Sequence, residues 1–205
     1  MFRLLIVLFG VLIINTSLAH SGTFTLTETD TSGYWYEYTG TVLPSDVDNL
    51  REIMDRANGE YVFIVINSGG GYAYTGIDLY YEAEKWDNLV TIAGRDFGAW
   101  SAAAVFWLGS PHDFHQGKEA KVGFHAAYCN AWVPPGCDTS DFQKELIRVF
   151  DRCGWYGSLF NHYLNRAQAQ GGVSSWILLT DEGWFFHHSR EGLTWKIPCD
   201  WVRKA

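Results

Sequence analysis

Residues 61–71 read Tyr-Val-Phe-Ile-Val-Ile-Asn-Ser-Gly-Gly-Gly. The first six form a continuous apolar run, rich in β-branched residues and of strand rather than helix length. Such a run, with no polar alternation, predicts a parallel strand covered on both faces. Three glycines then close it. Glycine admits positive φ and lets another group approach the backbone closely, so the end of this strand is expected to sit against something. A phosphate fits poorly. Gly71 and Gly76 have the spacing of a phosphate loop, but Ile77-Asp78 stands where Lys-Ser or Lys-Thr is needed, and no G-x-G-x-x-G occurs.

Outward from this strand, helix and strand signals alternate. Residues 23–43 alternate apolar and polar in pieces and predict strands. Ser45 as N-cap, with Asp48 three residues on, predicts a helix over 46–58 that buries Val47, Leu50, Ile53 and Met54 and ends at Gly59. A helix is expected over 74–85, a strand over 89–93, a turn at 95–98, a small-residue helix over 100–108 and a strand over 121–125. Thr139 or Ser140 caps a long helix expected over 141–169, interrupted near Gly154-Trp155, and Thr180 caps a short one over 181–189. The pattern predicts an α/β fold of stacked βαβ units, with a mainly parallel sheet, flanking helices and right-handed crossovers.

The chain has 205 residues. Arg3, an apolar run over 4–14 and the small-residue site Ser17-Leu18-Ala19 read as a signal peptide over 1–19, followed by a single domain over 20–205. The expected location is therefore periplasmic or secreted, with no membrane contact after cleavage. The formal net charge of −8, without any basic run, argues against a nucleic-acid partner. Four cysteines in an exported chain predict two disulfides, for which three pairings exist. The favoured one joins Cys129–Cys137, around the loop NAWVPPG, and Cys153–Cys199, tying the C-terminal tail to a helix. The second closes the longer loop and is expected to contribute about 3–4 kcal/mol. No pair has C-x-x-C spacing and His112-x-x-His115 stands alone, so no metal is expected.

Phe97-Gly98-Ala99-Trp100-Ser101-Ala102-Ala103 places a serine at the start of an alanine-rich helix, where unpaired N–H groups meet the positive end of the dipole. There Ser101 can attack a carbonyl while the Ala102 N–H faces the developing oxyanion. Gly70, with Gly71 beside it on the preceding loop, is the expected second donor. His125, 24 residues on at the end of the 121–125 strand, is the expected base. Consecutive parallel strands end on one edge of a sheet, so the three segments are expected to converge. Trp100 is a candidate wall of the substrate pocket.

These segments together resemble the Clp-type serine endopeptidases of the wider Clp/crotonase superfamily, in particular exported Clp-like proteins of bacteria. The family's Ser-Pro-Gly-Gly loop corresponds to Ser68-Gly69-Gly70-Gly71, its G-x-A-A-S-M-A segment to residues 97–103, and its histidine strand to Val122-Gly123-Phe124-His125. Its closing segment corresponds more loosely to Thr180–Trp184 and Glu191–Thr194. The resemblance implies cofactor-free hydrolysis of a peptide or protein substrate through a Ser-His-Asp triad, and a homo-oligomer where the ring handle is kept. Here Pro134-Pro135 falls where that handle lies. The family's aspartate position falls at Ser175 or Trp176, neither a carboxylate. Ser175 is a candidate to orient the imidazole and Asp181 is the nearest acid. Lys118 and Lys121 are the lysines near enough in sequence for a Ser-Lys dyad. The alternative to an enzyme is a weakly active or inactive binding protein on the same fold. A coenzyme-A-dependent acyl enzyme fits poorly with the acidic charge.

Overall fold

In a computed structural model, the chain is described at residues 22–115, 119–125, 139–153, 157, 161–162, 165, 176–180, 183–188 and 193–197. It is a mixed α/β protein with helices flanking a mainly parallel sheet. The first sheet has the order β1-β2-β3-β4-β6. β1 (Thr23–Asp30) and β2 (Gly33–Thr39) are antiparallel. β2, β3 (Val62–Asn67), β4 (Leu89–Ala93) and β6 (His112–His115) run parallel. Parallel neighbours need crossovers. These are α1 (Ser45–Ala57) between β2 and β3, and α2 (Ala73–Ala83) between β3 and β4. Beyond β4 the chain leaves this sheet for β5 (Ala99–Trp100) and α3 (Ala102–Trp107) before returning as β6. The expected helix over 100–108 is thus shorter, because Ala99 and Trp100 are used as strand.

β5 belongs to a second sheet, ordered β10-β9-β8-β7-β5. β5 and β7 (Val122–Phe124) are parallel, whereas β7, β8 (Trp176–Thr180), β9 (Gly183–His188) and β10 (Leu193–Ile197) pair antiparallel. The helix expected over 181–189 is therefore overturned. Residues 183–188 are a strand, with β8 and β10 on its two flanks. Aromatic Trp184, Phe185 and Phe186 favour such a strand, and pairing along both edges outweighs the capping signal at Thr180.

The core is built from alternate residues of β3 and from the helices laid over them. Val62, Ile64 and Ile66 are fully buried, with Leu50, Ile53 and Met54 of α1, Ile77, Leu79 and Tyr80 of α2, and all six residues of α3. Only one face of β3 is deeply covered. Phe63 and Val65 are half-buried, and Phe63 stacks on Trp35 of β2 at 4.3 Å, which corrects the expectation of burial on both faces. Between α1 and α2, Arg51 reaches Glu82 at 2.8 Å. Burial of Glu82 opposes its charge, but bonds from Arg51, Lys85 and Trp86 hold its carboxyl below the usual range. α4 (Ser140–Arg152) packs on α2 through Tyr74–Phe142 and the Arg152–Glu84 pair, and ends next to the interruption expected near Gly154-Trp155. The chain is helical again at 157, 161–162 and 165.

Cys153, just beyond α4, is a free thiol among the described residues, and Cys199, its expected partner, lies outside them. The Cys153 Sγ lies 4.0 Å from Tyr80 Oη and 3.9 Å from the Leu108 carbonyl, and burial pushes the thiol up to about 11. Cys129, Cys137 and Cys199 lie outside the described residues, as does the segment 1–19 read as a signal peptide. Among the described residues no helix is long and apolar enough to cross a membrane, and no His, Cys, Asp and Glu group is arranged to hold a metal ion.

Asp46 in the first turn of α1 is fully buried. Its Oδ2 accepts bonds from Tyr38 Oη and the Leu43 N–H, both at 2.8 Å, while Oδ1 has no partner among the described residues. Burial raises this carboxyl above the usual aspartate value, against the hydrogen bonds from Leu43, Tyr38 and Gly22. Relative to the unfolded chain, folding therefore favours protonation of this carboxyl. That contribution to stability is complete below the unfolded value, about 3.9, and is lost as pH rises through the raised folded value. Urea unfolding across this range should show a loss of stability with rising pH that Asp46→Asn removes.

Candidate active site

Strand β5 is two residues long and is held on both flanks. On one side Ser68, just past β3, bridges Ala99, with Ser68 N–H donating to Gly98 O at 2.9 Å and Trp100 N–H to Ser68 O at 3.0 Å. On the other side Ala99 and Trp100 pair with Val122 and Gly123 of β7. Both strands run the same way, so both end at one edge. Ser101 is the first residue beyond β5, and His125 the first beyond β7. Ser101 N–H donates to Gly123 O at 2.8 Å, which extends the pairing by one residue.

At that edge His125 Nε2 lies 2.8 Å from Ser101 Oγ, with both side chains partly buried. In the tautomer with hydrogen on Nδ1, the hydroxyl donates to Nε2, the arrangement a general base needs. Ser101 has φ 55° and ψ −121°. It is one of two non-glycine residues with positive φ among those described, the other being Asn58 at the end of α1. The αL conformation of Asn58 caps a helix. Ser101, whose ψ of −121° lies outside αL, turns a strand sharply into a helix, as in strand-to-helix nucleophile elbows. Residues held in such conformations store about 1–3 kcal/mol and cluster at functional sites. The strain is held by the Ser101–Gly123 bond and by Ala104 and Val105, whose N–H groups both donate to Ser101 O.

The glycine loop comes against this turn. A Cβ on Gly70 would lie 2.6 Å from Ser101 Cβ, 2.6 Å from Trp100 O and 2.9 Å from Ala102 N, and Gly70 has φ +91°. Space and backbone conformation both require glycine there. Gly71 is fixed from the far side: Val42 N–H donates to Gly70 O at 2.9 Å and Tyr72 N–H to Val42 O at 3.0 Å. A Cβ on Gly71 would meet Val42 O at 2.4 Å.

The donors differ in their readiness. Ala102 N–H opens α3, and among the described residues nothing accepts from it. Gly70 N–H is already engaged, donating to Ser68 Oγ at 3.2 Å, while Ser68 Oγ–H donates to Gly40 O at 2.7 Å. Trp100 sends its indole N–H to Phe97 O at 2.6 Å and lies across Gly123, where a Cβ would meet the ring at 2.2 Å. Phe97 and Tyr72 are more than half exposed beside the glycine loop, with the Phe97 ring 3.5 Å from where a Gly69 Cβ would be.

The structure thus brings together Ser101, His125, Gly70, Gly71, Ala102 and Trp100. Ser175, Asp181 and Lys118 lie outside the described residues, and Lys121 contributes its carbonyl, which accepts from Ala99 N–H at 2.9 Å. Sequence reading missed Val42, whose place as a clamp depends on a single bridge, and the Ser68 hydroxyl. It also missed Gly123 as the seat of Trp100, although a glycine inside a strand signals close approach. A cavity of about 310 Å³ lined by Tyr80, Glu84, Asp113, Arg152 and Cys153 includes none of these residues. A scan of the sequence against protein-family models finds no match, and a search of curated proteins finds none either.

Ser101→Gly and Ser101→Ala both remove the hydroxyl, but only glycine accepts φ 55° without strain. Ser101→Gly should be the more stable of the two by about 1 kcal/mol in urea unfolding, relief of strain outweighing the entropy of an extra glycine. Equal stability, or a more stable alanine variant, would show that the turn is unstrained.

Proposed function

We propose that the chain is an exported Clp-like serine hydrolase, a peptidase of the Clp/crotonase type that needs no cofactor. The observation that carries this reading is the 2.8 Å contact between Ser101 Oγ and His125 Nε2 at a serine with positive φ. A structural serine capping a helix needs neither the strain nor the imidazole. In the proposed reaction Ser101 Oγ adds to the scissile carbonyl carbon as its proton passes to His125 Nε2. The carbonyl oxygen becomes an oxyanion, with Ala102 N–H as its first donor. The C–N bond then breaks, the amine leaves with the proton from His125, and the acyl-serine remains. Water, deprotonated by His125, releases the acid and restores Ser101.

A second reading, an inactive binding protein on the same fold, draws support from Gly70, whose N–H is bonded to Ser68 Oγ rather than free for an oxyanion. Reaction of the purified chain with a fluorophosphonate probe, followed by peptide mapping, separates the two. The peptidase reading expects one adduct, on Ser101, absent from Ser101→Ala. In His125→Ala it should form at least about 100-fold more slowly, the usual weight of a general base. A folded chain that takes no adduct would leave the binding-protein reading.

A further inference from the structure

Asn67, the last residue of β3, directs its side chain at the turn that precedes the nucleophile. Its Oδ1 accepts from Phe97 N–H at 3.1 Å and Gly98 N–H at 3.3 Å, and its Nδ2 donates to Glu37 Oε1 at 2.9 Å. Backbone N–H groups only donate and a carboxylate only accepts, so the amide has one satisfactory orientation. Gly94 makes room for it: a Cβ there would lie 2.1 Å from Oδ1 and 2.5 Å from Cγ. Gly94 does not have positive φ, so space alone accounts for this glycine. Glu37 is brought diagonally across from Asn67 by the β2–β3 register, which pairs Glu37 with Val65 and Thr39 with Asn67.

The turn held in this way is the one whose geometry Ser101 inherits. Gly98 has φ +84°, and a Cβ on it would meet Lys121 O at 2.3 Å, so the chain passes tightly between Asn67 and β7. Two residues of β5 separate Gly98 from Ser101. Any shift of the turn is carried through them to the hydroxyl, and a misplacement of about 1 Å costs about 100-fold in an aligned reaction.

We propose that Asn67 and Glu37 are a positioning couple for the nucleophile. Glu37 orients the Asn67 amide, and the amide sets the turn that brings Ser101 Oγ to His125 Nε2. Neither side chain touches the reacting atoms. The inference rests on Ser101 being the nucleophile, and its test separates the two.

Asn67→Asp keeps an oxygen for the two N–H groups but sets its second oxygen against the Glu37 carboxylate. Asn67→Asp/Glu37→Gln moves the carboxylate from 37 to 67 and restores the donor–acceptor pair, with the same total charge as wild type. The fluorophosphonate labelling rate at Ser101 should fall about 100-fold in Asn67→Asp and about 5-fold in Glu37→Gln, and return to within about 10-fold of wild type in the double variant. Gly94→Ala, which pushes on the amide from the other side, should match Asn67→Asp. Rates are read well below each variant's unfolding midpoint, so lost stability does not enter. A rate in Asn67→Asp within 3-fold of wild type, or a double variant slower than Asn67→Asp, overturns the proposal.

A second readout needs no turnover. The His125 ring nitrogen resonances, assigned by their absence in His125→Ala, report the bond to Ser101 Oγ. In Asn67→Asp they should move towards their positions in Ser101→Ala and return in the double variant. If wild type takes no probe, the nucleophile reading falls and the positioning couple stands or falls on these resonances alone. Resonances unmoved by Asn67→Asp overturn it.

Discussion

The site depends on the two-residue strand β5, which carries the hydrogen bonds of two sheets at once. Ser68 holds it from the end of β3, and β7 holds it from the other side. Without the first pairing the glycine loop has no fixed relation to Ser101. Without the second, His125 has none. A strand this short buries little of its own, so its position is borrowed from its neighbours. Ala99 is fully buried, and α3, which follows at once, is buried along its whole length. The six apolar side chains of α3 anchor the far end of the turn in the core. The strained residue thus lies between two fixed elements.

Over-determination of this kind is what lets a non-glycine residue remain at φ 55°. The three glycines nearest the seam have separate physical reasons. Gly70 combines positive φ with contact against Ser101, Gly98 combines positive φ with contact against Lys121 O, and Gly123 leaves the face on which Trp100 lies. Each admits a backbone or ring at a distance that a methyl group would forbid. The close packing of four chain segments at one edge follows from these substitutions of hydrogen for carbon more than from any attractive contact.

Much of this was legible in the sequence because it follows from local rules. The YVFIVI run, the three glycines and the serine at the head of an alanine-rich helix fix the types of β3, its loop and α3. The parallel order of strand ends then predicts that Ser101 and His125 meet. The late helix was misread because Thr180 and Asp181 imitate a cap, while the pairing of Gly183–His188 with β8 and β10 is decided by partners remote in sequence. The one-sided burial of β3 escaped for a similar reason. Phe63 and Val65 are as apolar as their buried neighbours, and only the placing of α1, α2 and α3 tells the faces apart. Long-range side-chain bonds such as Ser68 to Gly40 have no sequence signature.

The resting bond from Gly70 N–H to Ser68 Oγ bears directly on whether such a site can work. At 3.2 Å between neutral groups it is a weak bond, of net value about 1 kcal/mol. An oxyanion in its place accepts a charge-assisted bond about twice as strong. Exchange of one acceptor for the other is therefore downhill, and the hydroxyl of Ser68 keeps its own acceptor, Gly40 O, throughout. The cost falls on the transition state as about 1 kcal/mol, or roughly a factor of five in rate, against the 10²–10³ that one oxyanion donor typically supplies. For the proposed hydrolysis, a donor parked on a neutral hydroxyl would thus be a small tax and no barrier, and the bond holds the glycine loop in register.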